Sequence, residues 1–247
     1  MRNICIDIEN LTFSYGKSSV LKDITIHARE GETIGIIGQN GVGKSTLLKL
    51  MVGLHIDFTG EIRVNGTPVK KKNLPEIRKI IGYVFQDSDS QLFMSTAYED
   101  VAFAPRNYGL SEEEVKKRTL YALERVGALG LRDKQIYKMS GGEKKLVSIA
   151  TILSMTPDII IMDEPSAALD PKNRRNLIQL MNSFDNLKII TSHDLDFIMD
   201  TCNRVILIDN GSVIQDGQAK DILQNEKLLE AHGLELPLSL YRRKEGN

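Results

Sequence analysis

The chain has 247 residues, of which 41% are hydrophobic and 26% charged, and its formal net charge is −1. This balance of 32 basic and 33 acidic residues argues against a nucleic-acid-binding surface, because such surfaces carry a basic surplus. Aromatic residues make up only 6% of the chain, so stacking platforms for bases are scarce as well. The length suits one large domain, or a core with a subdomain.

The sequence shows neither a secretion signal nor a membrane span. The N-terminal "MRNICIDIEN" alternates apolar and polar residues, unlike the continuous apolar core of a signal peptide. The longest apolar runs are far shorter than the roughly 20 residues that cross a bilayer. Cys5 and Cys202 lack CxxC spacing, so we interpret them as reduced, packed thiols. We therefore expect a cytoplasmic protein, which would work at a membrane only if a partner held it there.

The first third of the chain alternates between strand and helix patterns. The alternation in "ICIDIENLTF" predicts a half-buried strand, and the short apolar run "ETIGIIG" predicts another. Directly after it, "GKSTLLKLMVGL" has the Leu and Met spacing of a helix. A further strand-like run, "KIIGYVFQ", follows near residue 80.

The rest of the chain continues this alternation. The amphipathic stretch "SEEEVKKRTLYALERVGAL" predicts a helix with Ser111 as its N-cap and Glu114 three residues later. The runs "DIIIMDEP" and "NLKIITSH" predict buried parallel strands. In "NRVILIDNGSVIQDG" the Asn-Gly pair predicts the tight turn of a hairpin.

These elements predict an α/β core that is interrupted by a helical insertion. We place the core at about residues 1–86 and 155–225, and the helical subdomain at about residues 87–154. A C-terminal extension would cover about residues 226–247. The insertion is read as a subdomain because the core strands resume after it.

Residues 38–45, "GQNGVGKS", match the phosphate-binding pattern G-x-x-x-x-G-K-[ST] between a predicted strand and a predicted helix. The glycines let backbone N–H groups approach phosphate oxygens, and the helix N-terminus adds favourable partial charge. Lys44 should reach the β- and γ-phosphates, and Ser45 should ligate Mg²⁺. The residues assigned to this phosphate site are Gly38, Asn40, Gly41, Gly43, Lys44, Ser45 and Thr46.

Polar residues follow three of the other predicted strands. Asp163 and Glu164 end "IIIMDE"; Asp163 fits a Mg²⁺-linked acid, and Glu164 could accept a proton from the attacking water or orient it. A solvated acidic turn is the alternative. His193 and Gln86 also follow strands, where α/β proteins place ligands. Gln86 could touch Mg²⁺ or the water, whereas a lone His is more often structural or exposed.

A second pattern suited to phosphate is "KMSGGEKKLVSIA", residues 138–150. Its Ser140, Gly141 and Gly142 could offer a hydroxyl and several backbone N–H groups. Taken alone, such a segment is a flexible turn by default.

Together these motifs resemble those of ABC-type ATP-binding subunits, in that family's order and over nearly the whole chain. The matches include Tyr15 in "FSYG", "MSGGE", "SAALDP" around Asp170, and "TSHD". The resemblance implies an α/β fold: a P-loop NTPase core with a mainly parallel sheet, an N-terminal antiparallel β portion and the inserted helical subdomain. It also implies an ATPase whose cofactors are ATP and Mg²⁺.

The resemblance assigns further roles within one subunit. Tyr15 would stack on adenine, Glu164 would be the general base, and His193 would contact the γ-phosphate. Gln86 would link the nucleotide to the transport partner. In the same family two subunits meet head to tail, so Ser140, Gly141 and Gly142 would act on the partner's ATP.

Asp170 would connect the two sites of such a dimer. The Ser140-Gly141-Gly142 segment is the signature of this family, and the helix predicted after it is the signature helix. Three positions beside it depart from the usual family pattern. Met139 stands where Leu is commonest, Glu143 where Gln is common, and Leu146 where Arg is common. The Met conserves volume, while the other two could alter contacts around the signature helix.

Two segments resemble the energy-coupling-factor, or cobalt-type, ATPases more narrowly: residues 85–105, "FQDSDSQLFMSTAYEDVAFAP", and residues 233–242, "GLELPLSLYR". This resemblance implies an importer subunit, peripheral at the cytoplasmic face of the cell membrane, that powers uptake of a transition-metal ion or vitamin. Its partners would be a second ABC ATPase subunit, the same or different, and an integral membrane component. The alternative is an ATP-dependent regulatory or scaffolding protein that is not coupled to transport.

Leu92 and Phe93 are adjacent apolar residues in the polar stretch after Gln86. The family resemblance makes this stretch the wall of a groove for a short helix of the membrane partner. Local packing of the helical subdomain is the alternative.

Overall fold

The computed structural model describes residues 4–244, with side chains for residues 4–241. The outer ends of the first and last predicted segments, residues 1–3 and 245–247, lie outside the described residues. The first half contains β1 (Cys5–Tyr15), β2 (Ser18–Arg29), β3 (Thr33–Ile37), α1 (Lys44–Met51), β4 (Thr59–Val64), β5 (Thr67–Pro68), α2 (Leu74–Ile80), β6 (Ile81–Val84), α3 (Ala97–Asn107) and α4 (Glu112–Arg125). The second half contains α5 (Gly141–Leu153), β7 (Ile159–Asp163), α6 (Pro171–Asn182), β8 (Leu187–Thr191), α7 (Leu195–Thr201), β9 (Arg204–Asp209), β10 (Ser212–Gln218), α8 (Ala219–Leu223), α9 (Glu226–Ala231) and α10 (Leu238–Lys244).

The strands form two sheets. An antiparallel sheet has the order β2-β1-β4-β5, and a six-stranded sheet has the order β10-β9-β3-β8-β7-β6. In the larger sheet every neighbouring pair is parallel except β10 with β9. The fold prediction, a mainly parallel core sheet with an N-terminal antiparallel portion, is confirmed.

The central parallel strands of the six-stranded sheet, β3, β8 and β7, are buried on both faces, which explains their continuous apolar runs. All five residues of β7, "IIIMD", are buried. Ile159 and Ile161 pack against the antiparallel sheet with α1 and α2, whereas Ile160 and Met162 pack against the helices on the other side. The sheet therefore separates two hydrophobic cores.

Local sequence signals act as predicted at two places. Asn210 and Gly211, with φ of 49° and 80°, form the tight turn between β9 and β10. Ser111 caps α4, and its side chain accepts a hydrogen bond from the Glu114 N–H at 3.3 Å. Helices α3, α4 and α5 lie between β6 and β7. The division of the chain into domains stays a prediction.

Candidate nucleotide-binding site

Four neighbouring parallel strands deliver the predicted site residues to one edge of the sheet. Their order is β3-β8-β7-β6, and the carboxyl ends of parallel strands meet at the same edge. The phosphate loop follows β3, His193 follows β8, Glu164 follows β7, and Gln86 follows β6. The topology thus gathers residues that are more than a hundred positions apart in the chain.

The phosphate loop is closed around its lysine. The Lys44 ammonium donates hydrogen bonds to the main-chain oxygens of Gly38 at 2.7 Å and of Gln39 at 2.9 Å. Burial lowers the pKa of Lys44, an effect opposed by the charges of Glu164 and Asp163. A Cβ atom at Gly38 would lie 2.2 Å from the Ile208 main-chain oxygen, so this turn requires glycine.

Two hydroxyl groups meet on one oxygen of the buried Asp163. Ser45 Oγ donates to Asp163 Oδ1 at 2.9 Å, and Thr191 Oγ1 donates to the same oxygen at 2.7 Å. Carboxylate and hydroxyl oxygens are the ligands that Mg²⁺ prefers, so Ser45 and Asp163 fit the predicted metal site. Thr191 was missed, although it begins the "TSHD" motif.

Glu164 combines an unusual backbone with a buried carboxylate oxygen that accepts no hydrogen bond within the described residues. Its φ is 49°, and its N–H donates to the Thr191 main-chain oxygen at 3.1 Å. Oε2 accepts from the His193 N–H at 3.1 Å. Oε1 receives no hydrogen bond within the described residues, although His193 Nε2 lies 3.3 Å away. One carboxylate oxygen therefore fixes the side chain, while the other lies buried beside the His193 ring with its hydrogen-bonding capacity unused.

These groups surround a cavity of about 380 Å³. Most of the predicted residues line it; Val20, which the sequence did not indicate, lines it too. The predicted residues at the cavity are Tyr15, Asn40, Gly41, Gly43, Lys44, Ser45, Thr46, Gln86, Glu164 and His193. The cavity thus joins the phosphate loop, the candidate base and the candidate adenine-stacking ring.

Tyr15 stands at the mouth of this cavity and is half-exposed. Its hydroxyl lies 3.0 Å from His55 Nε2, and its ring packs edge-on against Phe13 with centroids 4.8 Å apart. Phe13 and His55 also stack on each other. These two rings, neither of them predicted, hold the half-exposed tyrosine ring in place.

The signature residues occupy the start of α5. Ser140 Oγ accepts from the Glu143 N–H at 3.3 Å, and Glu143 Oε2 accepts from the Ser140 N–H at 2.7 Å, which completes a capping box. Lys134 Nζ lies 2.7 Å from the Glu143 carboxylate, and its hydrogen bond holds the pKa of Glu143 below the ordinary range. Glu143 thus caps the helix with its charge paired.

The remaining signature positions lie beside the segment before α6. A Cβ atom at Gly142 would lie 3.0 Å from the Ala168 main-chain oxygen. Asp170 caps α6 by accepting from the Asn173 N–H at 2.8 Å. Ser140, Gly141, Gly142 and Asp170 do not line the 380 Å³ cavity. The structure therefore does not bring the signature to the phosphate loop of its own chain.

The stretch after Gln86 divides into a buried and an exposed part. Leu92 is buried in the core, so the packing interpretation holds for it. Phe93 is 65% exposed, and it lines a cavity of about 320 Å³ together with Met94, Ile136 and Tyr137. Leu92 lines the floor of the same cavity but is 6% exposed, so Phe93 presents most of the surface of the predicted pair.

The C-terminal segment contacts the phosphate loop and the start of α7. Gln39 Nε2 donates to the His232 main-chain oxygen at 3.2 Å. The Asp196 carboxylate accepts from the N–H groups of Leu238 at 2.9 Å and Ser239 at 3.1 Å. A cleft of about 1200 Å³, which Gly38 also lines, separates this segment from the His193 loop.

Fold and site together define an α/β nucleotide-binding protein of the P-loop class. A family model described as ABC transporter matches residues 21–167, and the chain belongs to that family. It is an ABC transporter ATP-binding subunit, and its enzymatic activity is ATP hydrolysis.

Two curated relatives and one solved structure cover nearly the whole chain. A putative ABC transporter ATP-binding protein of Geobacter sulfurreducens is 45% identical over 97% of both chains. The energy-coupling factor transporter ATP-binding protein EcfA of Carboxydothermus hydrogenoformans is 39% identical, over 96% of this chain and 88% of its own. The structure of cbiO1 from Clostridium perfringens, described as part of the ABC transporter complex cbiONQ, is 34% identical with a TM-score of 0.82, over 98% and 99% of the two chains.

Among residues 4–244, none of the helices combines the length and apolar character that a membrane crossing requires.

Proposed function

We propose that this chain powers an importer of the energy-coupling-factor type, which takes up a transition-metal ion or a vitamin. Support comes from the resemblance of residues 85–105 and 233–242 to that group, and from the similarity to an EcfA protein and to cbiO1. The subunit would sit at the cytoplasmic face of the membrane, bound to an integral membrane component.

The proposed catalytic roles follow from the geometry of the cavity. Tyr15 would stack on adenine, and Lys44 would exchange its bonds to the Gly38 and Gln39 carbonyls for bonds to phosphate oxygens. Glu164 Oε1 would accept the proton of the attacking water, and His193 would contact the γ-phosphate.

The metal site of this proposal consists of Ser45, Asp163 and Gln86. Mg²⁺, when bound there, neutralises charge on the phosphates during phosphoryl transfer. Thr191 would keep the Asp163 carboxylate oriented, because it donates to Oδ1 from beneath the site.

A second ATPase subunit completes the proposed site. Ser140 and Gly142 would contact the γ-phosphate held by the partner, since neither lines the cavity of its own chain. Asp170 would then lie at the contact between the two sites. Both halves of the composite site are present in this chain, which permits a homodimer as well as a pairing with a related subunit.

The observation that carries the transport proposal is the exposed aromatic surface beside the Gln86 loop. Phe93 packs edge-on against Phe103, with ring centroids 4.9 Å apart, and Tyr137 across the cavity is 74% exposed. Rings exposed to this extent contribute little to the core, whereas an apolar groove can receive an amphipathic helix of a partner. Gln86, which lines the nucleotide cavity, would connect this groove to the nucleotide.

The test is the Phe93→Asp variant, coexpressed with an integral membrane component that copurifies with the wild-type subunit. We expect copurification with the membrane component and substrate uptake to fall, while ATPase activity of the isolated subunit persists. The matched control is Tyr121→Asp, which places the same charge at an exposed ring on α4 and should leave copurification intact. Normal copurification of Phe93→Asp would refute the groove, and loss of soluble ATPase as well would favour local packing.

A further inference from the structure

The most deeply buried lysine in the described chain has no role in the site as proposed so far. Lys145 is 2% exposed and lies on α5, five residues after Ser140. Its ammonium donates to the main-chain oxygens of Phe85 at 3.0 Å and of Gln86 at 2.7 Å. A buried cation is costly unless its contacts compensate it, so these contacts need an explanation.

The two carbonyls belong to the backbone that carries Gln86 over the nucleotide cavity. The Gln86 side chain is exposed at the edge of the cavity, and within the described residues it makes no hydrogen bond. Its position therefore depends on its backbone. Lys145 fixes that backbone at the point where β6 ends and the loop begins.

The same loop is joined to α5 at two further points. The Gln91 side chain accepts from the Phe85 N–H at 3.1 Å and donates to the Ser148 main-chain oxygen at 2.8 Å. Lys144 forms an ion pair with Asp89. Of this set, the Lys145 contacts are the ones that reach Gln86 itself.

The charge of Lys145 also interacts with carboxylates of the candidate nucleotide site. Burial lowers the pKa of Lys145, while the carboxylates of Asp163, Asp87 and Glu164 oppose that effect. The ammonium therefore lies in the field of the acids that flank the cavity.

We propose that Lys145 is a positioning residue that ties the Phe85–Gln86 backbone to the signature helix and so holds Gln86 over the phosphates. The proposal rests on the metal role proposed for Gln86. Because Ser140 begins the same helix, one rigid element joins the Gln86 of this subunit to the hydroxyl presented to its partner. A displacement at either end is passed to the other.

The test compares Lys145→Met with two further variants. Lys145→Arg keeps a cation and donors near the carbonyls. Lys188→Met is the matched control: Lys188 is 3% exposed on β8 and donates to the Phe184 main-chain oxygen, away from this loop. All three variants are first compared by melting temperature and by nucleotide binding in EDTA.

The first readout is amide hydrogen exchange of residues 82–92 in the nucleotide-free protein. Loss of the two contacts should raise exchange there about tenfold in Lys145→Met, because the loop opens locally more often, but not in Lys188→Met. Unchanged exchange in Lys145→Met would overturn the proposal. So would an equal rise in Lys188→Met.

The second readout is the Mg²⁺ dependence of ATPase activity. Partners that orient a metal ligand typically contribute about 10–100-fold in metal affinity or activity. We expect half-saturating Mg²⁺ to rise within that range in Lys145→Met, with partial recovery in Lys145→Arg and nucleotide binding in EDTA unchanged. Loss of nucleotide binding in EDTA would count against the proposal, since it would show general damage to the cavity.

Gln86→Ala separates this inference from the proposed function. If Gln86→Ala leaves the Mg²⁺ dependence unchanged, the metal role of Gln86 is wrong. The exchange measurement then still decides whether Lys145 holds the loop.

Discussion

Replacing Glu164 by Gln tests the proposed base with little disturbance of the structure. The amide oxygen can keep the hydrogen bond from the His193 N–H, which now measures 3.1 Å to Oε2. The amide nitrogen would take the place of Oε1, which receives no hydrogen bond within the described residues. The variant therefore loses a proton acceptor and keeps its shape.

The expected effects on folding and on catalysis differ in size. Exchanging a charged acceptor for a neutral one at one hydrogen bond changes stability by about 1 kcal/mol. General base catalysis contributes about 10²–10⁴-fold, and at about 1.4 kcal/mol for each tenfold this raises the barrier by about 3–5 kcal/mol. We expect turnover to collapse while ATP affinity and melting temperature change little.

The assay is phosphate release in a single turnover at saturating ATP, beside binding of a fluorescent ATP analogue. Glu112→Gln, the same substitution at an exposed carboxylate on α4, should retain the wild-type rate. If Glu164→Gln hydrolysed ATP at the wild-type rate, Glu164 would not be the base. If it lost ATP binding as well, its role would be structural.

Two further predictions concern the dimer and the pH dependence of stability. Ser140→Arg should still bind nucleotide as a monomer, but light scattering should show no ATP-bound dimer. Mixing it with Lys44→Ala subunits should restore one composite site. A normal dimer of the pure Ser140→Arg variant would contradict this prediction. Burial would raise the pKa of Asp194, but the hydrogen bonds from Arg174, 2.6 and 3.0 Å long, hold it below the ordinary value. A carboxyl group whose pKa is lowered by folding stabilises the folded state at a pH above its pKa in the unfolded chain. That contribution is lost as the pH falls. The melting temperature of the wild type should therefore exceed that of Asp194→Asn by less below about pH 4. An advantage that stayed constant down to pH 3 would show that the ion pair does not set it.

The strands of the parallel sheet, and the edge at which their functional residues lie, could be predicted because each strand is a short run buried on both faces. Such a run is apolar throughout, and the polar residue that ends it marks the functional edge. The predictions for β3, β6, β7 and β8 are confirmed. By contrast β2 and β4 were not predicted individually, because the exposed face of an antiparallel sheet mixes polar residues with weak alternation.

The residues that escaped prediction act through contacts across the fold. Thr191 donates to an acid that is 28 positions away in the chain, and His55 meets Tyr15 across 40 positions. Lys145 was part of a recognised motif, yet nothing in the sequence shows which carbonyls it reaches. Glu143 is the intermediate case: its spacing from Ser140 is that of a capping box, whereas its ion pair with Lys134 requires the folded loop.

The division of the apolar interior by the six-stranded sheet has a consequence for how such subunits diversify. Phe13 and the phosphate-loop helix pack on one side of the sheet, whereas Leu92 and the interior of α3 to α5 pack on the other. If the proposed groove binds the membrane component, substitutions on the helical side would reshape it without repacking the layer under the phosphate loop. The same ATPase could then serve different membrane components through changes confined to one of its two hydrophobic cores.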